Sequence, residues 1–428
     1  VFCGSAASLA AFLACSSSSD GGGGGGTDDG SVPSADGSTP GKDSGTIVPG
    51  KDSGTSGTDS GTPGTDSGPP SQDAGPPGPR YVGRTLVNGA GVACDWSGCR
   101  AIAKFHGTAA SISIGGAQLG SSVYDVIVDG TVKPTPITVT PANATSPFVL
   151  ASGLAVGDHT VEIYKRSEAQ DGIEVFQGFT FPNGGTVLSP PLPGKHLIEF
   201  VGDSVTAGFG ALGNAAGCEF QPTIDTLTTA RQSFAGVTAS NLSSDAFIIA
   251  FSGKGVTRNY CQVVDMAQCG AADPILLFGN ADATQDLYGM TTVADGAQTW
   301  GFKPVPDAVV IALGADDFNN AGNGTQPTQV QFQAGYSAIL TKVRSRYPSA
   351  YIFATYSPSS FDPGLTIMQA AIPAAVTAKA DAKMFYVNNI PDANVAVDAT
   401  GCLNHPNVAY HAKVGAALTT FIKGKTGW

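Results

Sequence analysis

The sequence predicts a multidomain chain in which an antiparallel β-sandwich over residues 80–193 precedes an α/β domain with a largely parallel sheet over residues 194–428. Three observations carry this. In the first region, short runs rich in Val, Ile, Phe and Tyr are separated by Gly, Pro, Asn or Asp, with no helix of useful length between them. In the second, compact apolar strands alternate with helical patterns. Before residue 80 the composition offers almost nothing to bury.

The β runs are GTAASISIGG (107–116), SSVYDVIVDG (121–130), KPTPITVTP (133–141), HTVEIYKRS (159–167) and GIEVFQGFTF (172–181). Several alternate apolar with polar residues, as a strand with one buried face does. Asp129-Gly130 is a strong turn signal. Strands this short and this closely spaced predict two antiparallel layers.

After Gly194 the pattern changes. HLIEFVGD (196–203), SDAFIIAFSG (244–253), PDAVVIALGADD (306–317), SAYIFATYSP (349–358) and DAKMFYVN (381–388) read as apolar strands. Helical patterns cover 329–347, 366–380 and 407–424, with Pro406 near the first turn of the last, where a missing N–H costs little. This alternation predicts a parallel sheet covered on both faces. Ligands bind such sheets beyond the carboxyl ends of the strands, where the polar motifs fall.

The chain opens with an apolar, small-residue run at 1–14, like the core of an export signal, although the usual basic residues do not precede it. FLAC, ending at Cys15, resembles a bacterial lipobox, with Phe12 in a slot where Leu is usual. Residues 1–15 are therefore expected to direct export and Cys15 to be a lipidation site, an ordinary cleaved signal being the alternative. Residues 16–79, dominated by Gly, Ser, Asp, Thr and Pro, are expected to form a flexible stalk. The repeated DSG lacks the apolar position of calcium-binding repeats, so no calcium site is expected there.

Net charge is −12, with only 22 Lys and Arg among 428 residues. No basic stripe is present, which argues against nucleic acid as a partner. With an export signal, the even count of eight cysteines suggests disulfides. Cys94 with Cys99 and Cys261 with Cys269 are short-loop candidates, leaving Cys218 with Cys402; other pairings fit the sequence equally well. Zinc is disfavoured by the lack of any CxxC and by the five histidines in all.

GDSVTAG (202–208) puts Ser204 at a tight strand-to-helix turn, close to free backbone N–H groups. A serine there is either a helix cap or a nucleophile whose oxyanion those groups stabilise. A nucleophile needs a base, and His405, in GCLNHPN (401–407) at the start of the last helix, is the candidate. His411 lies six residues on and is expected on or near the helix surface. His106, His159 and His196 lie in or just before β segments and read as structural.

With these residues in view, GDSVTAG resembles the first signature block of the SGNH (GDSL) hydrolases. FSGKGVTRN (251–259) resembles the second, with Gly253 as its oxyanion-hole glycine, LGADD (313–317) the third, and LNHPN carries the family's catalytic histidine at His405. From residue 80 onward the chain resembles carbohydrate esterase family 2, the acetylxylan esterases. RYVGR (80–84), YDVIVDG (124–130) and KRSEA (165–169) match that family's RxxGR, YxVxVDG and KRxEA, and Cys218 also fits.

The resemblance implies a jelly roll followed by an SGNH hydrolase domain. It further implies deacetylation of xylan or related plant polysaccharides or oligosaccharides, without metal or cofactor. Ser204 would be the nucleophile and His405 the base, with an oxyanion hole made by the N–H groups of Ser204 and Gly253 and a third donor. That donor is usually Asn; here Asp316 holds its slot. Many SGNH hydrolases carry Asp three residues before the histidine; here that residue is Cys402, which fits a dyad oriented by a backbone carbonyl. A bond from Cys402 to Cys218 would pin the histidine loop to the loop after the nucleophile, and Asp398 is a weaker alternative partner for His405. Trp300 is the candidate sugar-stacking residue, with simple packing as the competing reading; Tyr260, Tyr288 and Trp96 rank below it. The alternatives are an SGNH esterase for another ester class, or a surface carbohydrate-binding protein with an impaired site, which only Asp316 favours.

Overall fold

The computed structural model describes residues 75–89, 91–115, 121–144, 147–214, 218, 223–260, 288, 300–318, 326–359 and 364–428. The leader-like segment with Cys15, the stalk up to residue 74, and Cys261 and Cys269 lie outside the described residues.

The first part forms β1 (Arg80–Val82), β2 (Leu86–Asn88), β3 (Gly91–Cys94), β4 (Arg100–Gly107), β5 (Ala110–Gly115), β6 (Ser122–Val128), β7 (Thr131–Val132), β8 (Ile137–Val139), β9 (Pro147–Ala151), β10 (Gly157–Lys165), β11 (Glu174–Thr180) and β12 (Thr186–Leu188). One sheet runs β1-β4-β10-β6-β7, with β12 added on β4 and β8 on β6; the other runs β2-β3-β11-β5-β9. All these pairings are antiparallel. Asp129 (φ 50°) and Gly130 (φ 75°) form the two-residue turn from β6 to β7, where positive φ at both positions suits the twist of the strands.

Several strands, including β4, lie outside the runs that the sequence pattern marks. In β4, Ala101 and Ala103 are fully buried, and alanine is a weak strand former, so packing rather than propensity holds it in the sheet. The last residues assigned to the stalk are not loose. Gly78 N–H donates to the Leu188 carbonyl at 3.2 Å, and Ser189 Oγ–H donates to the Gly75 carbonyl at 2.7 Å, so 75–79 run beside the end of β12.

The second part contains β13 (Leu197–Gly202), α1 (Ser204–Ala207), α2 (Thr223–Leu227), α3 (Phe234–Asn241), β14 (Asp245–Ala250), β15 (Ala308–Ala312), α4 (Ala315–Phe318), α5 (Gln329–Arg346), β16 (Tyr351–Thr355), α6 (Leu365–Ala378), β17 (Met384–Tyr386), α7 (Val395–Asp398) and α8 (Val408–Thr426). Its sheet is parallel throughout, in the order β14-β13-β15-β16-β17. β13, β14 and β15 are buried almost end to end, as strands covered on both faces must be. Because β13 is flanked by the next two described strands, the chain reverses its direction of winding there. The crevice of such a sheet opens beyond the carboxyl ends at that point.

A buried ion pair joins the two parts. Arg84, from RYVGR, donates from Nη2 to Glu199 Oε2 on β13 at 3.0 Å, and both side chains are fully buried. Tyr288 and Tyr347 hydroxyls donate to the same carboxylate at 2.7 and 3.0 Å. The guanidinium lies against the rings of Tyr288, Trp300 and Phe302. These contacts supply the partners that a buried charge requires.

Candidate active site

β13 ends at Gly202, and the chain turns at once into α1. Asp203 is the N-cap, its Oδ1 accepting from Val205 N–H at 3.0 Å and from Ser357 Oγ–H, just beyond β16, at 2.8 Å. Burial pushes the Asp203 carboxyl up, to about 7, against those hydrogen bonds. Ser204 is therefore the first helical residue, on a turn whose cap is fixed from a second strand, and it is 8% exposed.

His405 faces it. Nε2 lies 2.9 Å from Ser204 Oγ, and Nδ1 lies 3.1 Å from the Cys402 carbonyl oxygen. The half-buried ring also lies against Phe209, with centroids 4.7 Å apart. Burial lowers the imidazole well below the usual histidine range, to about 4, opposed by the carbonyls of Cys402 and Leu403. Leu403 and Asn404, immediately before His405, both have positive φ, 51° and 62°. Two successive non-glycine residues in that region are a local strain of the kind that clusters at functional sites.

The loop that carries His405 is tied back to the segment that follows Ser204. Cys402 is disulfide-bonded to Cys218, and Cys402 N–H donates to the Gly210 carbonyl at 3.0 Å. Gly210 has φ 60°, and a Cβ there would meet the Cys402 Cβ at 2.4 Å, so only glycine allows this approach. Cys94 and Cys99 are also bonded, between β3 and β4.

The flanking strands bring the other blocks to the same edge. After β14, Phe251 N–H donates to the Gly202 carbonyl at 3.1 Å, which binds the second block to the end of β13. Gly253 follows at φ 80°, its carbonyl accepting from Tyr260 N–H at 2.8 Å. After β15, Asp316 sits in the first turn of α4, 8% exposed. Its neighbour Asp317 accepts from Val256 N–H (2.7 Å), Thr257 N–H (2.6 Å), Thr257 Oγ–H (2.6 Å) and Arg258 N–H (3.2 Å). Burial pushes the Asp317 carboxyl up, to about 6, against these donors.

Two expectations are corrected and one weaker alternative is set aside. Trp300 is a packing residue: it is 9% exposed, meets Phe247 of β14 edge-on and lies under Arg84, at the level of Glu199 and Phe247 rather than at the carboxyl edge. Of the named aromatics, Tyr260 is the exposed one, at 37%, with its Cβ beside Gly253. His411 is buried, not on the surface of α8: this face of the helix packs on α3, where Nδ1 accepts Phe234 N–H at 3.2 Å. Asp398 does not support His405; its carboxylate accepts from Lys413 Nζ at 2.7 Å and from Asn394 N–H at 2.9 Å.

Sequence reasoning gave Glu168 no role, marking KRSEA only as a family motif. Its carboxyl receives Ser252 N–H at Oε2 (2.8 Å) and meets Ser252 Oγ at Oε1 (2.5 Å), one residue before Gly253. The signal was a cluster of charges, Lys165, Arg166 and Glu168, where a strand ends, and the partner of Glu168 lies 84 residues further along the chain.

Comparison with known proteins follows the same outline. The N-terminal domain of carbohydrate esterase 2 matches residues 81–191. The chain is 34% identical to the cellulase/esterase CelE of Acetivibrio thermocellus over 345 residues, 79% of this chain and 38% of that protein. It is 31% identical to an acetylxylan esterase / glucomannan deacetylase of Cellvibrio japonicus over 192 residues, 44% of this chain and 48% of that protein. The chain thus spans less than half the length of either. The structure of a family two carbohydrate esterase from Clostridium thermocellum in complex with cellohexaose superimposes with a TM-score of 0.71 at 32% identity, covering 82% of this chain and all of that one. With full coverage of that esterase at this identity, and its signature blocks converging on one sheet edge, the chain belongs to carbohydrate esterase family 2.

Proposed function

We propose that the chain is a serine esterase that removes O-acetyl groups from xylan or a related polysaccharide or oligosaccharide through an acyl-enzyme. The observation that carries this reading is the 2.9 Å contact of His405 Nε2 with Ser204 Oγ, with Nδ1 held against a carbonyl. A carbonyl oxygen only accepts, so Nδ1 carries the proton and Nε2 offers its lone pair to the serine hydroxyl.

As Ser204 Oγ bonds to the acetyl carbonyl carbon, Nε2 takes its proton. The negative charge that forms on the carbonyl oxygen is met by the N–H groups of Ser204 and Gly253. The tetrahedral centre then collapses, the bond to the sugar oxygen breaks, and that oxygen leaves with the proton from Nε2. Water, giving its proton to Nε2, attacks the acetyl-serine. Acetate departs as Ser204 Oγ recovers a proton.

The names and bound cellohexaose of the relatives support a carbohydrate chain as the substrate. In this reading the two antiparallel sheets form a jelly roll. Export, with a lipid anchor at Cys15, belongs to the same proposal, and the Cys94–Cys99 and Cys218–Cys402 bonds fit an oxidising compartment. A second reading, a carbohydrate-binding protein with an impaired site, rests on Asp316, whose ionised carboxylate offers no donor to an oxyanion.

Acetate release from acetylated xylan tests the reading. The wild type is expected to release acetate and Ser204→Ala to release none above background. Hydrolysis of a small acetyl ester without release from xylan would keep the chemistry and discard the substrate. Release from neither would favour the binding protein.

A further inference from the structure

Gly253, which supplies one oxyanion N–H in the reading above, sits in a loop held from both parts of the molecule. Asp317 grips its far end through Val256, Thr257 and Arg258. The near end is fixed at Ser252, where both hydrogen-bonding groups go to Glu168 of the antiparallel part. Glu168 is 2% exposed and is itself anchored. Its N–H donates to Asp171 Oδ2 at 2.9 Å. Two residues earlier, Arg166 donates to the carbonyls of Thr228 (3.1 Å) and Thr226 (2.7 Å), and its own carbonyl accepts Ala230 N–H at 3.2 Å. Lys165, before it, is fully buried against Glu174. The end of β10 is thus bolted to the segment that follows the nucleophile, and Glu168 reaches from it to the oxyanion loop.

We infer that Glu168 is a positioning residue for the oxyanion hole, aiming the Gly253 N–H by fixing the Ser252 side chain and backbone together. The inference rests on the reading of Ser204 and His405 as the catalytic pair. The Ser252–Gly253 peptide plane carries the N–H that meets the developing charge. A single hydrogen bond fixes a point, whereas two bonds that join the N–H and hydroxyl of one residue to a single accepting carboxyl group also restrain its rotation. A loop without that constraint has to reorganise as the charge forms, a penalty that falls on the transition state and spares substrate binding. On this account the antiparallel part completes the catalytic centre. Burial pushes the Glu168 carboxyl up, to about 8, the Ser252 hydrogen bonds opposing it and the Asp171 and Asp225 carboxyl groups reinforcing it. An amide, neutral and similarly shaped, is therefore a close stand-in: its oxygen accepts Ser252 N–H and its nitrogen donates to Ser252 Oγ.

The experiment measures kcat and KM on an aryl acetate, with thermal unfolding, for the full chain and its Ser204→Ala, Glu168→Ala, Glu168→Gln and Ser252→Ala variants. Glu168→Ala is expected to lower kcat roughly 10- to 100-fold, less than or equal to the loss of an oxyanion donor, with KM within about twofold. Glu168→Gln is expected to recover most of kcat, and Ser252→Ala, which keeps the backbone bond, to fall between. An unchanged kcat in Glu168→Ala while Ser204→Ala is inactive overturns this inference alone. So does a loss that Glu168→Gln does not restore, or one expressed in KM. Activity retained in Ser204→Ala overturns the catalytic reading and this inference with it. Should Glu168→Ala fail to fold, an unchanged kcat in Ser252→Ala decides against it.

Discussion

The Cys402 carbonyl oxygen stands 3.1 Å from His405 Nδ1, the position at which many serine hydrolases place a carboxylate. The imidazole is thereby oriented and its tautomer fixed, but no formal negative charge lies behind it. The same residue bonds through sulfur to Cys218, so one cysteine orients the His405 ring by its backbone and tethers the loop by its side chain. Without an anion to favour the protonated ring, burial dominates the acidity of His405.

The pH profile should show this. General-base catalysis needs the neutral imidazole, and burial lowers His405 to about 4. Above that value the ring is ready to accept the serine proton; below it the ring is charged and the serine is not activated. We expect kcat/KM to hold a plateau from neutrality down to about pH 5 and to fall to half near pH 4, as free-enzyme acidity governs that ratio. An acid limb centred between pH 6 and 7 would mean that the ring is more solvated, or closer to an anion, than the structure shows.

Cutting the Cys218–Cys402 bond tests the tether. Cys218→Ser leaves the Cys402 carbonyl in the chain but releases its loop. A displacement of about 1 Å at a catalytic base costs up to roughly 10²-fold, so kcat should fall about 10- to 100-fold with KM far less affected. Stability should fall by about 2–4 kcal/mol, typical of a disulfide closing a long loop. Equal kcat for the wild type and Cys218→Ser, measured well below the variant's unfolding temperature, would show that the loop's hydrogen bonds, such as that of Cys402 N–H to the Gly210 carbonyl, suffice.

The meeting of Ser204 with His405 and the parallel sheet were legible in the sequence for different reasons. Ser204 and His405 sit in compact motifs whose spacing to a strand or helix start is local, and β13–β15 are mostly apolar runs. What depends on a distant partner was not legible. Glu168 and Arg84 each stand in a short charged motif, but their partners, Ser252 and Glu199, lie 84 and 115 residues away. Trp300 was left between two readings because an aromatic before a strand reads alike whether it lines a cleft or packs on Phe247. For His411, spacing from His405 said nothing of which face of α8 meets α3.

The Arg84–Glu199 pair yields a stability prediction. Both side chains are fully buried, so replacing one leaves the other charge uncompensated. Arg84→Met should cost about 3–5 kcal/mol in denaturant unfolding, while the double change Arg84→Met with Glu199→Leu should recover much of it, as apolar replacements of buried ion pairs do. Tyr288 and Tyr347, which donate to Glu199, lose their acceptor in the double variant, so recovery should be incomplete. Additive losses would show that Glu199 is held mainly by the two hydroxyls.

Asp316 is the one position at which the motif and its chemistry disagree. It follows β15 in the first turn of α4, where the resemblance of LGADD to the third SGNH block implies an asparagine whose amide would donate to the oxyanion. Asparagine has nearly the same shape as aspartate but carries two donors, whereas an ionised carboxylate carries none and opposes a developing negative charge. One oxyanion donor is worth about 3 kcal/mol, or roughly 10²-fold in rate. Asp316→Asn is therefore expected to raise kcat on an aryl acetate, by as much as about 10²-fold if the new amide reaches the oxyanion, and to leave KM nearly unchanged because the donor acts only once charge has formed. An unchanged kcat would place the side chain outside the hole. A lower kcat would show that the carboxyl group itself takes part, as a protonated donor or as a group that orders the attacking water, and the pH dependence of the wild type would then separate those two roles: a donor is lost as pH rises, a water-ordering carboxylate as it falls.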